Sequence, residues 1–189
     1  MSKTSLIVCV TGMPGSGKTT VAEALASDGF QIISMGDVIR EEAKRQGLPL
    51  NDISLGKLML KLRKELGLGA IAHLIARKMQ QNGSGLVAID GLRSTAEVDV
   101  LKKHGTVKVL GIHAPKEARF RFLKERKRTD APTSQDEFDV RDKREIDVGI
   151  GEAISFSDSI ITNDGTITDL QKKALEIVSR WKKEVERSS

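Results

Sequence analysis

The sequence predicts an α/β fold: five parallel strands in one sheet with helices on both faces, a three-layer α/β/α sandwich. Three observations lead there. Short apolar runs alternate with longer stretches at helical spacing, which is the pattern of successive β-α-β units. The first run, Leu6-Ile7-Val8-Cys9-Val10, is continuous and rich in β-branched residues, as a strand buried on both faces requires. A glycine-rich turn, Gly12 to Gly17, joins that run directly to a helical pattern over Thr20–Ala26.

The remaining elements follow in order. Phe30–Ser34 reads as the second strand, and Asp37–Gln46 as a short helix stopped by Gly47-Leu48-Pro49. Leu55, Leu58, Met59 and Leu62 recur at helical spacing within Ser54–Leu66. Ala70–Gln81 continues as a helix, closed by Asn82-Gly83-Ser84-Gly85. The run Leu86–Ile89 is a third buried strand ending in Asp90-Gly91. Ala96–Lys103 is helical, His104-Gly105 stops it, and Val107–Ile112 is the fourth strand. Pro115 opens a helix to about Lys127, at the N1 position that suits proline. Thr129–Gln135 is a loop, and Glu137 to about Ile154 reads as one helix, weakened by Gly149 and Gly151. Ser159–Thr162 is the fifth strand, Asn163-Asp164-Gly165 a tight turn, and Ile167–Glu186 a terminal amphipathic helix. No repeat or linker divides residues 1–189, which read as one domain. Parallel strands of this kind bind ligands at their carboxyl ends.

Composition narrows the function classes. At 39% hydrophobic over 189 residues, the chain can bury a full core. No apolar run approaches the roughly 20 residues of a membrane span, so a cytoplasmic protein is expected. The single Cys excludes an internal disulfide, and three scattered His offer no metal-ligand spacing. Cys9 lies mid-strand and reads as a buried apolar residue. The net charge of +5 brings nucleic acid into view as a partner, but only 3% of residues are aromatic and there is no Tyr to stack bases. Nucleic acid is therefore not favoured.

Gly12-Met13-Pro14-Gly15-Ser16-Gly17-Lys18-Thr19 matches G-x-x-x-x-G-K-[ST], and it stands between a strand and a helix as that motif must. Its glycines let successive backbone N–H groups converge on one anion, and the helix start adds its own unpaired donors. ATP is the expected ligand, cradled by Gly12 to Thr19 with Thr20. Lys18 would lie between the β- and γ-phosphates, and the Thr19 hydroxyl would ligate Mg²⁺. Asp90, at a strand end, is the second candidate Mg²⁺ ligand. Arg40 and Arg93 each follow a strand and should rise at the same edge, where a guanidinium binds phosphate bidentately.

These residues carry a resemblance. Ser34-Met35-Gly36-Asp37-Val38-Ile39-Arg40 looks like the S-T-G-D-x-x-R segment of adenylate kinases, and Asp90-Gly91-Leu92-Arg93 like a shortened D-G-F-P-R segment. The chain as a whole most resembles the archaeal adenylate-kinase-related family of phosphate-loop proteins. That resemblance implies a P-loop NTPase fold of the nucleoside-monophosphate-kinase type, with a nucleotide donor. It also implies an acceptor-binding insert at about 35–82 and a short basic lid at about 119–150. Asp37, Arg40 and Arg93 would then bind a small phosphorylated acceptor, which is AMP in the adenylate kinases. Met35 replaces the family threonine, and the proline of D-G-F-P-R is missing.

The basic stretch Arg119, Arg121, Lys124, Arg126, Lys127, Arg128 continues into Arg141, Lys143 and Arg144. At the lid position, Arg126, Arg128, Arg141 and Arg144 are the candidates for neutralising charge during transfer. Ser157 to Gly165 resembles a segment of dephospho-CoA kinase and supports the fold. Two other readings remain at this point. One is dephospho-CoA-kinase-like transfer to a hydroxyl, with Asp37 as base, although the D-x-x-R spacing here is that of adenylate kinases. The other is a slow ATPase acting as a nucleotide-switched RNA- or ribosome-associated protein.

Overall fold

The computed structural model describes residues 6–82, 85–125 and 131–188. The chain runs β1 (Leu6–Thr11), α1 (Lys18–Ser27), β2 (Gln31–Ser34), α2 (Met35–Arg45), α3 (Asp52–Leu66) and α4 (Ala70–Asn82). It continues through β3 (Leu86–Leu92), α5 (Thr95–Leu101) with a 3-10 turn at Lys102–His104, β4 (Thr106–His113) and α6 (Lys116–Glu125). It ends in α7 (Gln135–Asp147), α8 (Ile150–Ser155), β5 (Ser159–Thr162) and α9 (Ile167–Ser188). The five strands form one parallel sheet in the order β2-β3-β1-β4-β5.

β1 is the centre of the molecule, and all six of its residues are buried. Alternate side chains leave it on opposite faces. Ile7 and Cys9 join the cluster formed with α2, α3, α4 and α5, whereas Leu6, Val8 and Val10 pack with Val21, Leu25 and Trp181 of α1 and α9. Each fully buried aliphatic side chain contributes about 1.5–3 kcal/mol, so a strand flanked by both cores anchors whatever follows it. Burial also pushes the Cys9 thiol well above its ordinary pKa, as expected of an inert core residue. The order of strands changes direction at β1, so the loop after it opens into the crevice between its neighbours.

Most departures from the sequence reading are at element ends. α2 starts at Met35 rather than Asp37, because the Ser34 hydroxyl caps it by accepting from the Asp37 N–H at 3.3 Å. α3 starts at Asp52 rather than Ser54, with Asn51 as its cap. β3 runs on through Asp90 and Gly91 to Leu92, with a register shift opposite Val10 and Thr11. Pro115 sits just before the first residue of α6 rather than inside it. One departure is larger. The helix expected over Glu137–Ile154 is two helices, because Gly149 takes φ 107°, a left-handed conformation that ends α7 and starts α8. Among the described residues, no helix is long and apolar enough to cross a membrane.

Candidate active site

The turn Gly12–Gly17 wraps the carboxyl end of β1 and feeds straight into α1, whose first residue is Lys18. Gly15 shows why this loop tolerates no side chain. Its φ is +81°, and a Cβ there would lie 2.5 Å from the carbonyl oxygen of Arg119. Arg119 packs on the loop from the other side. Its Nη1 donates to the Pro14 carbonyl at 3.0 Å, and its guanidinium makes a bidentate pair with Asp142 at 2.9 and 2.6 Å. In the sequence Arg119 belongs to a basic stretch, yet it is 6% exposed and locks the phosphate loop to α7. The turn after β5 braces the loop as well, since the Asn163 side-chain amide donates to the Ser16 carbonyl at 3.0 Å.

Lys18 folds back on the loop, donating to the carbonyls of Gly12 and Met13 at 2.7 and 3.0 Å. Burial lowers its pKa to about 8, although the charge of Asp90 partly opposes this. A cation held in that state gains from an incoming anion. The Ser16 hydroxyl and Asp90 Oδ1 are buried with no hydrogen-bond partner among the described residues, so both are polar atoms kept out of water without compensation. A hard divalent cation prefers hydroxyl and carboxylate oxygens, which Thr19 and Asp90 offer. Among the described residues no cluster of three His, Cys, Asp or Glu could hold a metal alone. Phosphate oxygens would have to complete the coordination sphere.

One cleft brings together most of the predicted residues: Gly12, Lys18 and Thr19 from the loop and the start of α1, Arg40 from α2, Asp90 and Arg93 from the end of β3, and Arg141 and Arg144 from α7. Apolar side chains of Ile39, Leu55 and Met59 complete its wall. Arg126 and Arg128 lie outside the described residues. Asp37 is exposed at the rim and pairs with Arg40, whose Nε and Nη2 donate to one carboxylate oxygen at 3.1 and 2.5 Å.

Four residues that the sequence reading did not select organise these arginines. Glu145 is 3% exposed and accepts from Arg93 Nε at 2.6 Å. Burial would raise its carboxyl, but Arg93, with Arg144 and Arg141, holds it below the usual range. Glu97 accepts from the backbone N–H of Arg93 at 2.8 Å and from Arg63 at 2.6 Å, and with Ser94 it forms a capping box on α5. The turn that carries Arg93 is thereby fixed. Asp52 accepts from both Arg144 Nη atoms at 2.8 and 2.9 Å, with Arg141 Nε at 3.6 Å. Burial alone would raise the Asp52 carboxyl, and these two arginines hold it below its ordinary value. Gly56, one turn further along α3, leaves room for that pair, since a Cβ there would lie 2.6 Å from Arg144 Nη1. A glycine inside an apolar-periodic helix is the one local signal of this contact.

A central parallel strand, a glycine loop opening a helix, and cations gathered at the carboxyl edge of the sheet define a phosphate-loop protein of three-layer α/β/α fold. A family model described as an AAA domain matches residues 11–139. The UPF0200 protein PH1008 of Pyrococcus horikoshii is 43% identical over 180 residues, which cover 93% of this chain and 97% of that protein. The chain therefore belongs to the UPF0200 family. Its fold is similar to that of TT1252 from Thermus thermophilus, with TM-score 0.69 and 21% identity over 94% of this chain and 98% of that one. A shikimate kinase from Acinetobacter baumannii, crystallised with shikimate, is similar at TM-score 0.60 and 18% identity, with 95% of each chain covered.

Proposed function

We propose that this protein is a nucleotide-dependent phosphotransferase of the nucleoside-monophosphate-kinase type, moving the γ-phosphoryl group of ATP to a small phosphorylated acceptor such as AMP. The observation that carries this reading is the single cleft in which the phosphate-loop lysine faces four arginines from three other parts of the chain. A site that only binds or slowly hydrolyses a triphosphate has no need of Arg40 and Arg93 at the far wall. In this reading Gly12 to Thr20 hold the donor, Arg40 and Arg93 hold the acceptor phosphate with Asp37 orienting Arg40, and Lys18, Arg141 and Arg144 neutralise developing charge. Thr19 and Asp90 would hold Mg²⁺, which supplies charge neutralisation at the phosphates. The segment near 35–82 serves as the acceptor-binding insert and that near 119–150 as the lid. Arg126 and Arg128 complete the lid in this proposal.

An acceptor that is already a phosphate anion needs no general base, so this reading asks none of the cleft residues to take a proton. Steady-state turnover with ATP against a panel of nucleoside monophosphates, dephospho-CoA and shikimate tests the reading. A monophosphate should raise ATP consumption well above hydrolysis and yield the diphosphate. If no acceptor does so, the kinase reading fails, and salt-dependent RNA affinity would then favour a nucleotide-switched binding protein.

The Lys18 environment yields a second expected result. The free lysine loses its proton near pH 8, whereas a bound triphosphate keeps it charged. Nucleotide affinity should fall as pH rises above 8, by up to about tenfold per unit. Calorimetry in buffers of different ionisation enthalpy should show proton uptake on binding in that range. Affinity that is flat from pH 7 to 9.5 would contradict the assigned role.

A further inference from the structure

The Asp52 side chain joins α3 to α7 and lines the same cleft as Arg40 and Arg93. It is one-third exposed, and its partners are the two α7 arginines that the kinase reading needs for phosphate. Arg144 is bidentate, the form in which a guanidinium also grips phosphate, while its Nε is buried with no hydrogen-bond partner among the described residues. The seat is shaped for it, because Gly56 gives up helix propensity where the guanidinium passes. Asp52 is also the first residue of α3, behind the Asn51 cap, so its backbone position is fixed by the helix start. The two arginines form an anion site already filled by one of the chain's own carboxylates.

We propose that Asp52 is an internal competitor for the cleft's phosphate-binding arginines: an anion of the chain itself that a substrate phosphate must displace from Arg141 and Arg144. The assignment of the incoming anion to a phosphate of the reacting substrates rests on the kinase reading above. A phosphate dianion competes for a guanidinium better than a carboxylate does, because it brings more charge and more acceptor oxygens. Asp52 occupancy lowers apparent affinity for every anion that needs these arginines, in proportion to the fraction of time they are free of it.

Calorimetric binding of inorganic phosphate tests this without reference to turnover. Asp52→Asn keeps the side-chain shape and one acceptor oxygen, and it should bind phosphate at least about tenfold more tightly than the parent protein. The gain should vanish in Asp52→Asn/Arg144→Ala, while the phosphate loop contributes equally in all three proteins. If Asp52→Asn does not fold, Asp52→Ser is read in the same way. Phosphate affinity that is unchanged or weaker in the single variant, or a gain that survives loss of Arg144, overturns the proposal. A parent protein with no phosphoryl-transfer activity would sink the kinase reading instead, and the binding result would stand apart from it.

Discussion

Replacing Lys18 with Ala should reduce nucleotide turnover by about 10²–10³-fold or more, the range for losing one charge-stabilising group in a water-poor site, and leave the fold intact. Two features make the outcome sharp. Among the described residues, the hydrogen bonds of the lysine go to carbonyls of its own loop, so no distant element depends on it. Its cation is also held below its ordinary pKa by burial, so at neutral pH it is a cost to the folded state rather than a support. The sign follows from linkage. A lysine whose folded pKa is depressed opposes folding fully below pH 8, and stability recovers as pH rises from there toward the unfolded value. Lys18→Ala should therefore melt at the same temperature as the parent, or higher, near pH 7, and lose the parent's rise in stability above pH 8. Thermal melts from pH 6 to 10, run beside ATP-turnover assays, check both halves. Normal turnover would sink the phosphate-loop argument, and a large drop in melting temperature would mean the lysine is structural.

The phosphate loop was legible in the sequence because everything that builds it is local. An apolar run sets β1, the glycines set the turn, and the helix pattern starts within three residues of the last glycine. The Asp90 and Arg93 positions were legible for the same reason, each lying at the end of a strand marked by its own composition. What escaped were the partners of the arginines. Glu145 and Asp142 sit among Arg141, Lys143 and Arg144, and on α7 they read as a solvated face of alternating charge. Both are buried instead, 3% and 8% exposed, because their partners are Arg93 and Arg119. No local pattern marks a pairing that spans 52 residues between Arg93 and Glu145. Asp52 was hidden twice over. Asn51-Asp52 looks like the polar turn before a helix, and the Arg144 contact crosses 92 residues. Gly149 is visible in the sequence as a weak point in a helix, but its left-handed φ is decided by the packing of two helices on either side of it.

These pairs change what a mutation at the far wall would report. Arg93→Ala should raise the acceptor KM roughly 10- to 100-fold, the equivalent of about 1.5–3 kcal/mol for a hydrogen bond to a charged group, while ATP affinity stays within about threefold. The same change removes the direct partner of Glu145 and leaves a buried carboxylate. Breaking a buried pair from one side costs about 3–5 kcal/mol. The lower end applies here because Arg144 and Arg141 still face Glu145. At roughly 2–4 °C per kcal/mol for a chain of this size, the melting temperature should fall by about 10 °C. Lost acceptor use in Arg93→Ala alone could then reflect partial unfolding. The double variant Arg93→Ala/Glu145→Gln separates the two effects, since the neutral amide no longer requires a cation. It should regain most of the lost melting temperature and none of the acceptor affinity. Recovery of acceptor use together with stability would make Arg93 a structural partner of Glu145, and the acceptor phosphate would then belong to Arg40 and the α7 arginines. Equal losses for ATP and acceptor in the stable double variant would place Arg93 on the donor instead.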